Sequence, residues 1–128
     1  MKRPEIKKLD KEFRFLIRNG NPCAKCGTTL NVQASHVFPV STCGYILRWN
    51  SLNCITLCYR CHIHWWHKNP IEAMEWFVKK YGQGRLDALR ALKIQNGKYL
   101  TPELVRLGWK AEWPGYEPPA SKKARGSK

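Results

Sequence analysis

The sequence predicts a small α+β fold, in which a two-stranded hairpin and the helix after it are flanked by further helices. All six cysteines and all four histidines of the 128-residue chain lie between Cys23 and His67. Two Cys-x2-Cys pairs bracket two short segments with strand character, and amphipathic helical patterns lie on either side. A two-residue gap lets both thiolates of a pair reach one ion, so two such pairs predict a structural zinc site. Its four ligands would be Cys23, Cys26, Cys58 and Cys61.

The N-terminal part of the chain predicts one helix followed by the hairpin. Apolar residues recur at three- and four-residue steps over residues 5–18, and Asn19-Gly20-Asn21-Pro22 ends the pattern. Residues 30–34 alternate between apolar and polar, which favours a strand. Residues 37–44 predict a loop, and residues 53–57 predict a second short strand that runs into the second cysteine pair.

The C-terminal half predicts helices only. A helix is expected to begin at Cys61 and to end before Pro70, because the residue before a proline disfavours helical backbone. Residues 70–81 and 84–95 carry helical patterns, and Thr101 is the expected cap of a last helix. The chain is thus divided into an N-terminal helix, a zinc-bound core, C-terminal helices and a basic disordered tail, over residues 1–19, 20–81, 82–113 and 114–128.

The charge of the chain predicts a polyanionic partner, most simply nucleic acid. Lys and Arg number 23 against 9 Asp and Glu, which gives a net charge of +14. The alternative is a soluble basic protein without such a partner. No apolar run approaches the roughly 20 residues of a membrane span, and the N-terminus has no hydrophobic signal core, so we expect a cytoplasmic protein. Thiols stay reduced there, which favours zinc over disulfides and leaves Cys43 and Cys54 as ordinary small side chains.

An ordered series of motifs between and around the cysteine pairs carries a family resemblance. The series is Cys23-x2-Cys26, Ser35-His36, Asn53 and Cys58-x2-Cys61-His62. It resembles the HNH, or ββα-metal, endonuclease family, and it covers roughly residues 20–80. Two further motifs narrow the resemblance to phage-encoded HNH proteins grouped with the NinG/Rap recombination endonucleases, namely Leu47-Arg48-Trp49-Asn50 and His67-x-Asn69-Pro70.

The resemblance implies a ββα-metal core and a catalytic role for three residues. His36 would be the general base, and its ordinary pKa near 6.5 suits that task. Asn53 would orient the His36 imidazole by a hydrogen bond, and His62 would bind a catalytic divalent ion such as Mg²⁺. His67 is the better second ligand if the helix bends at Trp65-Trp66, because five residues is not the spacing of one α-helical face.

One position departs from the family pattern. Many HNH proteins carry an aspartate ligand immediately before the first histidine, and this chain has Ser35 there. Three interpretations stay open: the ion is held by histidines and water, the position is vacated as in the Rap-like branch, or the site is catalytically weak. His62 could also replace a cysteine in the zinc site.

The leading hypothesis is therefore a metal-dependent DNA endonuclease of phage recombination or DNA processing, acting on duplex or branched DNA. The alternative is a non-catalytic, zinc-containing nucleic-acid-binding protein on a degenerate HNH scaffold. Oligomeric state stays open. Predicted phosphate contacts, which could also be a solvated face, are Arg48, Lys79, Lys80, Arg85, Lys122, Lys123 and Arg125. The aromatic residues of 65–77 are expected to form core more than a base-stacking surface.

Overall fold

The computed structural model describes residues 1–117 and begins with a long helix, α1, at Arg3–Arg18. Pro4 occupies its first turn, and the backbone N–H of Lys2 donates to the Glu5 carboxylate at 2.8 Å. The helix ends at Arg18, as the sequence predicts, and Asn19 is its C-cap. Residues 114–117 are not a disordered tail as predicted, because Tyr116 Oη donates to the Glu12 carboxylate of α1 at 2.6 Å. The rest of the predicted tail, including residues 121–128, lies outside the described residues.

Two antiparallel strands form the central hairpin, β1 at Val32–His36 and β2 at Cys54–Cys58. The strand β1 begins two residues later than predicted, because Asn31 adopts a positive φ of 53° that an extended strand does not allow. The register pairs His36 with Cys54 and Ser35 with Ile55. Side chains alternate between the faces of a sheet, so Ser35 and His36 point to opposite sides.

The connection between the strands is not only a loop. It contains a short helix α2 at Tyr45–Arg48 and a 3₁₀ turn at Ser51–Asn53. After β2 the chain forms a π-helical turn at Arg60–Trp66, where the sequence predicted an ordinary helix. The predicted C-terminal helices are confirmed as α3 at Pro70–Tyr81, α4 at Gln83–Lys93 and α5 at Pro102–Glu112, and Thr101 Oγ1 caps α5 by accepting from Leu104 N–H at 3.2 Å.

The hairpin lies between two hydrophobic clusters. One face of β2 presents Ile55 and Leu57 to the cluster formed by α3, α4 and the π-helical turn. The other face presents Cys54 to a cluster that joins α1 and α5. Trp66 and Phe77 are buried in the first cluster, which supports the core interpretation of these aromatic residues. Over residues 1–117, every helix is too short or too polar to cross a membrane.

Candidate metal centre and histidine cavity

The four predicted cysteine ligands converge at one end of the hairpin. The sulfur atoms of Cys23, Cys26, Cys58 and Cys61 all lie within 4.8 Å of one another. Cys26 Sγ and Cys58 Sγ are 3.7 Å apart. Four sulfurs at the ordinary Zn–S distance of about 2.3 Å would stand about 3.8 Å apart in a tetrahedron. The donor set and its spacing therefore fit a structural metal such as zinc.

Each cysteine pair forms a tight turn in which a backbone N–H donates to a cysteine sulfur. The N–H of Cys26 donates to Cys23 Sγ, and the N–H of Cys61 donates to Cys58 Sγ, each at 3.5 Å. Gly27 follows the first pair with a φ of +81°, which allows the chain to turn back at once. Ala24 N–H donates to the Thr56 carbonyl at 2.8 Å, so the first turn is attached to β2. Local backbone geometry thus brings two distant pairs to one point.

The surroundings of the cysteines favour thiolate at one of them. Burial raises the pKa of the Cys23 thiol, but hydrogen bonds from backbone groups, that of Cys26 first, outweigh it and lower the pKa to about 6. Burial raises the pKa of Cys61, and the neighbouring thiols add to that effect. A cation at the centre would stabilise the thiolate form of all four, because metal ligands must be deprotonated.

The π-helical turn brings His62 and His67 together, which an α-helix would not do. His67 N–H donates to the His62 carbonyl at 3.1 Å, the five-residue hydrogen bond that defines a π-helix. His62 Nε2 and His67 Nε2 are 2.9 Å apart. Two imidazole nitrogens that bind one ion at about 2.0–2.1 Å would stand about 2.9 Å apart at a right angle and about 3.3 Å apart at the tetrahedral angle. The two nitrogens are within hydrogen-bond distance of each other, and their separation is also compatible with shared coordination of one ion.

Gln33 fixes the orientation of His62, and sequence reasoning missed this residue. Its Oε1 lies 2.7 Å from His62 Nδ1 and accepts a hydrogen bond from it, which leaves the lone pair of His62 on Nε2, facing His67. Burial lowers the pKa of His62 to about 4, with smaller contributions from His67 and His36. His62 is thus neutral near pH 7. His62 is not a member of the cysteine cluster, which offers four sulfur ligands without it.

His36 lies at the end of β1, and its hydrogen bond determines which ring nitrogen carries the proton. Its Nε2 lies 3.0 Å from the Arg48 carbonyl, which can only accept, so Nε2 carries the proton and Nδ1 keeps a lone pair. The ring packs on Phe13 of α1, with centroids 5.9 Å apart. Burial lowers the pKa of His36, and the hydrogen bond to Arg48 offsets part of that effect. A neutral imidazole with one free nitrogen is what a general base requires.

The three histidines line one cavity of about 510 Å³, together with Arg14 from α1. Trp66, Pro70 and Met74 supply apolar walls to the same cavity. None of its lining residues is acidic. Arg14 was not predicted as a site residue, because α1 was interpreted only by its apolar face. The signal that was available is its place in a repeat of basic residues along α1.

The predicted hydrogen bond between Asn53 and His36 is wrong. Asn53 is completely buried, and its Oδ1 accepts from Phe38 N–H at 2.8 Å. Its Nδ2 donates to the carbonyls of Phe38 and Leu47, each at 3.1 Å. The amide is therefore saturated by the backbone between the strands. Asn53 acts on His36 only at a distance, by holding that connection, whose Arg48 carbonyl orients the imidazole.

Ser35 is not a possible ligand of an ion in the cavity. It is completely buried, it does not line the cavity, and it lies on the sheet face opposite to His36. Its hydroxyl has no hydrogen-bond partner among the described residues. An aspartate introduced here would place a carboxylate in the core, away from the cavity, and would not supply a ligand to an ion held by the histidines.

Two of the predicted phosphate contacts are engaged inside the protein. Arg48 forms a bidentate pair with Asp10 at 2.9 and 2.7 Å. Arg85 donates to the backbone carbonyls of Ser51, Leu52 and Cys54. Both guanidinium groups are half-buried and bonded within the protein, which leaves them less available to a phosphate than an exposed cation. Lys79 and Lys80 are exposed on α3, and Lys122, Lys123 and Arg125 lie outside the described residues.

The fold and the two sites define a small α+β protein in which one π-helical turn joins a four-cysteine metal centre to a cavity lined by histidines. The chain belongs to the family of the bacteriophage lambda NinG protein, whose family model matches residues 3–112. The matched range runs from the first residue of α1 to the last residue of α5, and it contains both sites. No significant match is found among curated proteins or solved structures.

Proposed function

We propose that the protein is a metal-dependent DNA endonuclease of phage DNA recombination or processing. One observation carries the proposal: His62 Nε2 and His67 Nε2 lie 2.9 Å apart in the cavity that His36 also lines. A neutral base and a pair of metal ligands are the two components that phosphodiester hydrolysis requires. The membership of a phage protein family supports the setting.

His36 would accept the proton of the attacking water on Nδ1. Its Nε2 proton is committed to the Arg48 carbonyl, so the ring can neither rotate freely nor present the wrong nitrogen. Because burial lowers the pKa of His36, the ring is neutral at pH 7 and ready to accept a proton. The Phe13 ring packs against the imidazole and limits the approach of water from that side.

His62 and His67 would hold the catalytic divalent ion, Mg²⁺ or a related metal. When bound, such an ion stabilises the negative charge that grows on the phosphate and the leaving oxygen. Mg²⁺ prefers oxygen ligands, which water and phosphate would supply. Imidazole nitrogens suit ions such as Zn²⁺ or Fe²⁺ better than Mg²⁺. Gln33 keeps His62 in the tautomer that can bind metal, since its oxygen holds the Nδ1 proton.

Replacement of His36 by Ala tests the proposal. We expect metal-dependent cleavage of supercoiled plasmid or of a four-way junction to fall by roughly a hundred- to ten-thousand-fold. Zinc content and DNA affinity should stay near wild type, because the base acts only in the transition state. Loss of the hydrogen bond to the Arg48 carbonyl should lower the free energy of unfolding by about 1 kcal/mol. His62→Ala should also lose cleavage, but excess divalent metal should restore part of it, as it should not for His36→Ala.

The absence of a carboxylate from the cavity lining is the observation that favours a binding protein without catalysis. That alternative predicts DNA binding by the wild type with no metal-dependent cleavage of plasmid, linear duplex or junction. Equal cleavage by wild type and His36→Ala would instead place the active site elsewhere.

A further inference from the structure

The outer face of α1 carries a stripe of basic residues, which we call the α1 stripe. It consists of Lys7, Lys11, Arg14 and Arg18, all exposed. Their spacing of four, three and four residues keeps them within about 60° around the helix axis at 3.6 residues per turn. The buried residues of α1, namely Leu9, Phe13 and Ile17, follow a separate line toward the hairpin. The stripe extends for about 16 Å, over which one strand of duplex DNA advances by roughly five nucleotides.

Internal ion pairs leave the charge of this stripe unbalanced. Asp10 binds Arg48, and Glu12 binds Arg106 and Tyr116. Glu5 accepts from the backbone at the start of α1. Every acidic residue of α1 therefore has its own partner. Within residues 1–117, no member of the stripe forms a salt bridge. Four exposed cations in a row without counter-charge are complementary to a line of phosphates.

The stripe leads into the histidine cavity. Arg14 is at once a member of the stripe and a lining residue of the cavity, with His36, His62 and His67. The neighbouring residue Phe13 contacts the His36 ring, so α1 packs directly on the face of β1 that carries the expected base. A DNA strand bound along the α1 stripe would therefore reach the histidine cavity, because Arg14 belongs to both surfaces.

We propose that the α1 stripe binds the phosphate backbone of the DNA substrate, and that Arg14 contacts the phosphate that enters the histidine cavity. The inference rests on the proposed function for its substrate, but it assigns the binding surface independently of the chemistry. The proposed binding surface is the outer face of α1. Arg48 and Arg85 are not part of it, because their guanidinium groups form hydrogen bonds within the protein. Contacts here would be to phosphates, so binding along the stripe would not depend on base sequence.

The binding test compares two triple variants that remove the same charge. One changes Lys7, Lys11 and Arg18 to Gln, and the control changes the exposed cations Arg90, Lys98 and Lys110 to Gln. Anisotropy of a short fluorescent duplex is followed against salt, with no added divalent metal. Three lost phosphate contacts should reduce the slope of log affinity against log salt by about 2.7 for the stripe variant. The control should keep a slope near wild type. Equal slopes for the two variants would overturn the proposal.

Arg14 is tested by the rate of cleavage at saturating DNA. Arg14→Gln should lower this rate by at least about tenfold, and Arg14→Lys should recover part of it, because the positive charge is kept. An unchanged rate in Arg14→Gln would overturn the contact assigned to Arg14. If the wild type binds DNA but does not cleave it, the proposed function fails, and the slopes of the two triple variants still decide whether the stripe is the binding surface.

Discussion

Asn53 uses its whole side-chain amide to hold the connection between the two strands. The residue is completely buried, and its three hydrogen bonds go to the backbone of Phe38 and Leu47. This connection includes Arg48, whose carbonyl accepts from His36. A single buried amide therefore links the stability of the fold to the orientation of the expected base. Removal of the amide would take the side-chain partner from the N–H and the carbonyl of Phe38, whereas the Leu47 carbonyl would still accept from Asn50 N–H at 3.4 Å.

Asn53→Ala should lower the free energy of unfolding by about 3 kcal/mol or more, because each buried polar group left unpaired costs about 1–3 kcal/mol. Urea denaturation followed by circular dichroism measures it. Asn50→Ala is the matched control, since Asn50 is only half-buried and its side chain accepts one hydrogen bond, from Leu52 N–H. We expect its cost to stay near 1 kcal/mol. An Asn53→Ala variant of wild-type stability that no longer cleaves would favour the direct contact with His36 that the sequence predicted.

At the scale of elements, the π-helical turn is what makes the two-histidine site. A π-helical turn is an α-helix that contains one extra residue, and such turns are frequent at functional sites. Here the extra residue allows Cys61 to remain in the four-cysteine cluster while His62 and His67 face each other. A five-residue separation on an α-helix would rotate the second ring away by more than a quarter of a turn from the first.

Deletion of His64 should therefore preserve the paired histidines. His64 is exposed, and its loss would place the two remaining rings four residues apart, which an ordinary α-helix brings to one face. We expect the affinity for Mn²⁺, measured by titration calorimetry of the zinc-loaded protein, to stay within a few-fold of wild type. Insertion of one alanine after His64 is the control and should abolish that binding. Loss of Mn²⁺ binding in the deletion variant would show that the π geometry itself is required.

On the scale of the whole molecule, the four-cysteine cluster lies at the end of a sheet that is too small to be stable by itself. The sheet has only two strands, and an isolated two-stranded hairpin is marginal in water. The hydrophobic clusters on its two faces are built by different helices, α1 and α5 on one side and α3 and α4 on the other. The cysteine cluster joins the segment before β1 to the end of β2 and the start of the π-helical turn.

Cys58→Ser should accordingly remove zinc and abolish cooperative thermal unfolding, because metal binding at structural sites contributes on the order of 10 kcal/mol to folding. Cys43→Ser is the matched control, since Cys43 is half-buried and lies outside the cluster. Metal analysis and calorimetry of both variants make the comparison. A Cys58→Ser protein that keeps the melting temperature of the wild type would contradict a structural role for the centre.

The sequence by itself determined the features that depend on local spacing. The cysteine pairs predicted the metal cluster, the apolar repeat predicted α1, and the pattern of residues 70–81 predicted α3, because turns and helices are set by residues close in the chain. The order of the motifs also indicated the NinG family, to which the chain belongs.

Only the tertiary structure decided which polar side chains are committed to the fold and which are presented to a partner. Asn53 bonds the backbone of Phe38, 15 residues away in the chain. Arg48 pairs with Asp10, and Arg85 donates to the Cys54 carbonyl, over 38 and 31 residues. Gln33 orients His62 across 29 residues of chain, and Arg14 enters the cavity only because α1 packs on β1. A hydrogen bond between residues far apart in sequence depends on how whole helices and strands pack together. The local sequence pattern around either residue therefore does not predict it.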